Sequence, residues 1–455
     1  MQDSPEPQTS TGPEIDPPRR VPLHYKILIG LVVGATLGLT VNFLTKSSGV
    51  PDWLNSILDN VEAVGRIFLR LVLMVVIPLV FSALTLGVLE LGDVRRLGRI
   101  GLRPLVWTMV LSFCAVGIGL TLVNLIAPGK GLSDANRDAL RSQFAVSADK
   151  AVEQSKKAKP LRDLLLDIIP ENPLQEAVGA LDGSSKGNGM LSVMFFSLCI
   201  GVALTFAGER AQTLIRCIEG LFDVTMVIIG FAMRIAPVCV ACLVFVITTR
   251  MGIEILTTLF WFVLTVLLGM ALQIVVVYSS CVYFGGGRDP RKFFRDISEA
   301  MLTAFGTSSS NATLPTALRV ARNELHLPRE VSQFVLTIGS TGNQNGTALY
   351  EGVVVLFLAQ VFGVDLTLHQ QLTVVLMSVL AGVGTAGVPG GSIPLIIIVL
   401  NSVGVPGEGI GIILGIDRVL DMCRTVLNVS GDLVLATCVS RGEPVTPEHE
   451  LATVA

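Results

Sequence analysis

The chain has 455 residues, of which 51% are hydrophobic and only 15% charged, against about 25% charged in a typical soluble domain. No soluble fold covers that much apolar surface, and a mean hydropathy of +0.68 with repeated uncharged runs of about 20 residues places the chain in a bilayer as helices. The net charge of -3 argues against a nucleic-acid partner, and four histidines with eight scattered cysteines offer neither a zinc spacing nor a disulfide framework.

Residues 1–22 hold six prolines among Ser, Thr, Gln and acids, which predicts a disordered cytoplasmic tail rather than a cleaved signal peptide. Uncharged stretches then run Ile27 to Thr45, Leu71 to Leu89, Pro104 to Gly129 and Gly187 to Gly208, each long enough to span a bilayer. A fifth apolar segment, about Val224 to Thr249, is interrupted by Arg234, and a sixth covers Ile255 to Gly287. Cys239 and Cys242 lie inside the fifth, where helix packing explains a CxxC better than redox chemistry. The one long polar insert, 130–186, carries a Pro-bounded amphipathic piece at Leu161 to Pro170. Basic residues cluster in alternate loops: Arg19, Arg20 and Lys26; Arg95, Arg96, Arg99 and Arg103; Arg210 and Arg216; Arg288, Arg291, Lys292 and Arg295. That pattern predicts a cytoplasmic amino terminus and an extracellular insert.

After residue 296 the pattern changes. The uncharged stretch Ala300 to Leu318 has basic residues on both sides and a polar middle, Gly306 to Pro315, which predicts a re-entrant hairpin whose tip faces water or ligand. The 42-residue run Leu366 to Gly407 is broken by Gly382 to Gly391 and predicts a second hairpin entering from the opposite side. Each hairpin is followed or preceded by a helix with a polar interruption: Thr341 to Thr347 within Val331 to Phe362, and Asp417 to Asp432 within Ile410 to Val439. Hairpin and broken helix, repeated in opposite orientations, is an inverted repeat and points to a midplane binding site in a secondary transporter. The alternative, glycines serving close helix packing, leaves the clustered Asn, Thr and Asp unexplained.

Asp417, Asp421, Arg424, Asn428 and Asp432 fall at steps of 4, 3, 4 and 4 and therefore share one helix face, which must line protein or water. Arg424 offers a bidentate fork for a carboxylate and Asp421 a partner for an ammonium, together describing an acidic amino acid; a purely structural Arg/Asp pair is the alternative. Asn343, Asn428, Asp432 and carbonyls freed by unwinding at Thr341 to Thr347 form an all-oxygen set, suited to Na⁺ or H⁺ rather than a transition metal. Glu351 is the other intramembrane acid, either a proton carrier if burial favours its neutral form or an ion-paired structural carboxylate.

At these motifs the sequence resembles the glutamate/aspartate transporter family, the dicarboxylate/amino acid:cation symporters. The resemblance runs from about residue 23 to 441. It is most specific at Thr307 to Pro315, at Asn343 to Tyr350 (NQNGTALY, where the family has NMDGTALY), at Gly384 to Gly390 and at Asp417 to Asp432. It implies an all-α homotrimer in the cell (inner) membrane, each protomer with eight transmembrane helices and two re-entrant hairpins, working as an elevator without a cofactor. Residues 23–100 and 187–250 would be scaffold. Residues 101–129 and 251–441 would form the moving transport domain, leaving 130–186 as an extracellular insert and 442–455 as a tail.

By the same resemblance, Arg424 corresponds to the residue binding the substrate's side-chain carboxylate and Asp421 to the one binding its amino group. Thr425, Asn428, Thr347 and backbone at Ser310 and Val388 complete the pocket. One sodium site is expected at Asp432, Asn343 and the carbonyls of Gly339 and Asn428, and a second at carbonyls of Thr341, Gly382, Val383 and Thr385. The family's third sodium site needs an aspartate where this chain has Asn345, and a tyrosine and a threonine where it has Thr108 and Leu111; only Ser112 matches. Gln344 replaces a methionine, and the family's additional pocket arginine is absent at Ser308 and Met422. Glu351 matches the family's proposed proton carrier. Uptake of aspartate or glutamate with fewer sodium ions, with a proton, or without sodium is therefore expected. A four-carbon dicarboxylate, cystine or other amino acid carrier is the alternative in the same class, and an anion channel the alternative from another. An intramembrane aspartyl protease is disfavoured because Asp417 and Asp432 lie about four helical turns apart.

Overall fold

The computed structural model describes residues 23–45, 51–92, 102–143, 169–182, 190–384 and 392–442. The expected tails, most of the amphipathic piece of the insert, Thr385 and Val388 lie outside them. Every regular element among the described residues is helical, because backbone polar groups in hydrocarbon must be satisfied within the segment.

The first pass is α1 (Leu23–Thr45). The second is longer than its apolar run: α2 (Asp52–Met74) leads almost directly into α3 (Val76–Gly92). The sequence reading began this pass at Leu71 because Asp59, Glu62, Arg66 and Arg70 interrupt the earlier part. The structure pairs Arg66 with Glu62, and Arg250 of a neighbouring helix with Asp59 at 2.8 Å, so these charges occupy one side of an amphipathic helix. After α4 (Leu102–Ile126), the insert contributes α5 (Asp134–Gln143) and α6 (Pro173–Asp182). Next come α7 (Met190–Ala207) and α8 (Gln212–Met251), the latter 40 residues long with Pro237 inside it. Arg234, the expected interruption, stays in register and lies over the Phe231 ring. Cys239 is buried in α8 against the Val64 carbonyl, consistent with packing.

The sixth pass, α9 (Ile253–Leu272), is extended by two π-helical turns, Gln273–Tyr278 and Cys281–Gly285, which sequence periodicity did not reveal. After the short α10 (Pro290–Asp296), the first hairpin is α11 (Ser298–Thr307) against α12 (Ser310–Asn323). Its reversal sits on Ser308, whose φ of 51° is left-handed, and the Ser309 hydroxyl caps α12 by accepting from Ala312 N at 3.2 Å. The seventh pass is broken between α13 (Arg329–Gly342) and α14 (Asn345–Val361). Only Asn343 and Gln344 are non-helical, a narrower break than the expected Thr341 to Thr347, because Asn428 accepts from Gly346 N at 2.7 Å and Gln344 O accepts from Ala348 N at 3.0 Å, capping α14 immediately.

The second hairpin has arms α15 (Leu368–Gly384) and α16 (Ile393–Ser402). The last pass, α17 (Leu414–Val439), is continuous. The expected break around Asp417 to Asp432 is therefore corrected: its polar side chains find partners along the helix itself and on neighbouring segments, so the helix ladder has no reason to open.

Six stretches of the described residues are long and apolar enough to cross a membrane, the longest covering both α7 and α8. With the broken α13–α14, they make eight passes and two hairpins. Helices α1, α2, α3, α7 and α8 pack mainly on one another, while α4, α9 and α11 to α17 pack around α14 and α17. The second group carries the polar site.

Candidate functional site

The site is built where α17 meets the break between α13 and α14. Asp417, Asp421, Arg424, Asn428 and Asp432 are all buried, so the face expected from their spacing does turn into protein. Arg424 is held on three sides. Its Nη2 donates to Asp421 Oδ1 at 2.5 Å, its Nη1 donates to Ser392 Oγ at 2.7 Å, and its guanidinium lies 4.8 Å from the centre of the Tyr350 ring, a favourable cation–π placement. The Tyr350 hydroxyl in turn donates to Asp417 Oδ1 at 2.7 Å. Thr425 donates its hydroxyl to the Asp421 carbonyl at 2.8 Å. A guanidinium already oriented by an aromatic face and a hydroxyl is a preorganised receptor for a second carboxylate.

Arg418 is a further partner of the charged face, one not expected from the sequence. Arg418 Nη1 donates to Asp421 Oδ2 at 3.0 Å, so Asp421 bridges two buried guanidinium groups. The signal was present, since Arg418 precedes Asp421 by the same three residues by which Arg424 follows it. Ser392 and Tyr350 were likewise not anticipated as partners of the charged face.

Asn428 joins the last helix to the break. Its Oδ1 accepts from Gly346 N at 2.7 Å, and its Nδ2 donates to Gln344 Oε1 at 2.5 Å and Thr347 Oγ1 at 3.3 Å. Gln344 Nε2 donates onward to Ser340 O at 2.7 Å. Thr347 and Asn428 are thus brought together as expected, and Gln344 occupies the junction between them and the cation-site candidates. Ser310 is buried at the start of α12, in the hairpin that packs on α17.

Asp432 and Asn343 meet directly, Asn343 Nδ2 donating to Asp432 Oδ1 at 2.9 Å. A methyl group at Gly339 would fall 2.6 Å from that oxygen, so the carboxylate lies directly against the end of α13. Among the described residues Asn343 Oδ1 is buried without a hydrogen-bond partner. Two oxygens of this kind, one of a carboxyl group and one unsatisfied, suit a hard cation. Gly382 reaches the break as well: a methyl there would lie 3.3 Å from Gln344 O. Thr341 is in the last turn of α13, its hydroxyl donating to Ile338 O at 3.1 Å, and Val383 is in the last turn of α15.

Glu351 is fully buried on α14, and among the described residues neither carboxyl oxygen has a hydrogen-bond partner. Arg424 acts on it electrostatically without a hydrogen bond between them. Asn345, Ser112, Leu111 and Thr108 are all buried. Ser112 Oγ donates to Asn345 Oδ1 at 2.8 Å, whereas Leu111 contributes its carbonyl to Gln273 Nε2 at 3.1 Å.

Eight helical passes, two hairpins and a buried polar site at a helix break define a multi-pass membrane transporter. Comparison with known proteins gives the family: residues 23–442 match the sodium:dicarboxylate symporter family, to which the chain belongs. The chain is similar to a proton/sodium-glutamate symport protein of Bacillus subtilis (strain 168), 31% identical over 95% of each chain. It is also similar to a proton/glutamate-aspartate symporter of the same organism, 32% identical over 94% of this chain and 96% of the relative. Human excitatory amino acid transporter 3 is 30% identical over 89% of this chain and 83% of its own length. The family is one of transporters, not enzymes, which removes the protease alternative.

Proposed function

We propose that the protein is a secondary active symporter that takes up aspartate or glutamate. The observation that carries this reading is the buried Arg424, preorganised by Asp421, Ser392 and Tyr350. The substrate's side-chain carboxylate takes the guanidinium fork and its ammonium takes Asp421, while Thr425, Asn428, Thr347 and backbone at Ser310 and Val388 close the pocket. The names of the similar proteins, glutamate and glutamate-aspartate symporters, support the same substrate class.

The coupling differs from a three-sodium carrier. Asp432 with Asn343, Gly339 and Asn428 holds one cation, a reading supported by the unsatisfied Asn343 Oδ1. Thr341, Gly382, Val383 and Thr385 supply carbonyls for a second. The third site is lost at Asn345, Thr108 and Leu111, and Glu351 carries a proton instead, which fits a carboxyl with no hydrogen-bond partner among the described residues. The helices that pack around α14 and α17 form the transport domain of an elevator, and α1, α2, α3, α7 and α8 form the scaffold of a homotrimer in the cell (inner) membrane, amino terminus inside. Proteoliposomes with Na⁺ and pH gradients imposed independently test this: labelled aspartate or glutamate accumulates under at least one gradient, and absence of uptake and exchange under all of them refutes it. A four-carbon dicarboxylate is the competing substrate, suggested by the family's description. Asp421 disfavours it, and excess succinate failing to compete with aspartate would exclude it.

A further inference from the structure

Tyr278 has no role in the pocket just described, yet it is fully buried and placed by the first π-helical turn of the sixth pass, Gln273–Tyr278. A π turn inserts one extra residue in the helix and shifts the face on which following side chains emerge; such turns concentrate at functional sites. Here the shift delivers a phenol into the middle of four helices. Its hydroxyl donates to the Leu427 carbonyl of α17 at 3.2 Å and accepts from Asn345 Nδ2 of α14 at 3.1 Å. Asn345 Oδ1 accepts in turn from Ser112 of α4 at 2.8 Å. A methyl at Gly431 would come within 2.5 Å of the hydroxyl and 2.9 Å of Asn345 Nδ2, so the phenol needs a glycine on α17 to fit.

The chain Ser112 to Asn345 to Tyr278 to Leu427 O is neutral and continuous. The amide oxygen and nitrogen of Asn345 each have a partner. A cation entering there would have to break the Ser112 bond and shed its water with no carboxylate in the hydrogen-bond chain to coordinate it, the neighbouring Asp432 being bonded to Asn343 instead, a loss of several kcal/mol. The far end of the chain is the carbonyl of the residue preceding Asn428, whose amide reaches Gln344, Thr347 and Gly346 N.

We infer, building on the coupling reading above, that Tyr278 is a positioning residue that seals the region around Asn345 against cations and fixes the Leu427–Asn428 backbone for substrate with a hydroxyl. Transport therefore owes nothing to an ion at this place, and substrate affinity depends on the phenol.

The test is Tyr278→Phe in the full-length protein, with aspartate KM and kcat measured in proteoliposomes across Na⁺ concentrations. Removing the hydroxyl strands Asn345 Nδ2 and takes from the Leu427 carbonyl its bond outside the helix ladder, and the expected outcome is an approximately tenfold rise in KM relative to wild type at every Na⁺ concentration, with kcat within about twofold. An unchanged KM overturns the inference, as does a KM whose fall with Na⁺ is steeper than that of the wild type and brings it back to the wild-type value, because the ion would then be replacing the hydroxyl. A second variant, Asn345→Asp with Tyr278 intact, keeps the question open to measurement if Tyr278→Phe fails to fold. The new carboxylate is buried with only the Ser112 and Tyr278 hydroxyls beside it, so activity falls more than about tenfold at every Na⁺ concentration; activity brought back to the wild-type level by Na⁺ overturns the inference. A substrate-free readout separates this from the substrate assignment. The unfolding temperature of Tyr278→Phe falls equally in choline and in Na⁺ whatever the substrate proves to be, and a Na⁺-specific recovery of stability counts against the seal.

Discussion

Replacing Arg424 by lysine separates charge from geometry at the centre of the site. The guanidinium makes two directed hydrogen bonds, to Asp421 Oδ1 at 2.5 Å and Ser392 Oγ at 2.7 Å, and rests over the Tyr350 ring. In that pose the Nη groups form a planar fork, and under the proposed assignment a substrate carboxylate engages the fork with two charge-assisted bonds. Such a bond contributes about 1.5–3 kcal/mol. Lysine preserves the positive charge opposite Asp421 but presents a single rotating ammonium, so one of the two bonds is lost. With about 1.4 kcal/mol per factor of ten, Arg424→Lys is expected to weaken aspartate and glutamate binding by roughly 10- to 100-fold. Folding should survive, because Asp421 keeps Arg418 at 3.0 Å and is not stranded as an unpaired buried charge. Arg424→Ala removes both bonds and the charge, and should weaken binding by a further factor of about ten or more. Neutral amino acids such as serine or alanine become competitive inhibitors of comparable strength. Equilibrium binding by isothermal titration calorimetry on purified protein measures all three. Aspartate affinity within about threefold of wild type in Arg424→Lys would contradict the assignment, since no preorganised fork could then be contributing.

Three other substitutions report on separate parts of the site. Asp432→Asn leaves Asn343 opposite an amide instead of a carboxylate, and is expected to raise the Na⁺ concentration for half-maximal substrate binding by more than about tenfold, read from Na⁺ titrations at fixed aspartate; an unaltered Na⁺ dependence removes Asp432 from the cation site. Glu351→Gln imitates the protonated carboxyl at a place where no described residue hydrogen-bonds the side chain, so amino acid exchange should persist while its pH dependence disappears; a wild-type pH profile in this variant places the proton elsewhere. Tyr350→Phe keeps the ring beneath Arg424 but takes the donor from Asp417, which should cost about 1–3 kcal/mol of stability in reversible unfolding and change substrate affinity only a few-fold.

The two hairpins and the charged face of the last pass were legible because hydrocarbon permits so few alternatives. A run such as Gly306 to Pro315 cannot face lipid, and acids at steps of three and four must share a protein-lined face. The same logic overreached on the last pass. Polar residues inside a membrane helix signal partners, not necessarily a break, and α17 stays intact because its own turns and neighbouring segments supply those partners. On the seventh pass, the break shrank to Asn343 and Gln344 because Asn428 caps α14 from another helix, a long-range bond that local sequence cannot report. Tyr278 and Gln273 were invisible for a related reason. A tyrosine in an apolar run reads as packing, and only the π turn and the approach of Gly431 put its hydroxyl beside Asn345. Arg418 was readable in principle, being symmetric with Arg424 about Asp421, but two arginines on one acid become a pair of bonds only when both side chains are buried together.

The most direct test of symport with reduced sodium coupling is labelled aspartate uptake into proteoliposomes, with Na⁺ and pH gradients varied independently and reversal potentials used to count the ions moved. Coupling to fewer than three Na⁺ per substrate, with a proton contribution that vanishes in Glu351→Gln, is the predicted result. Strict dependence on three Na⁺ with no response to the pH gradient would contradict the account.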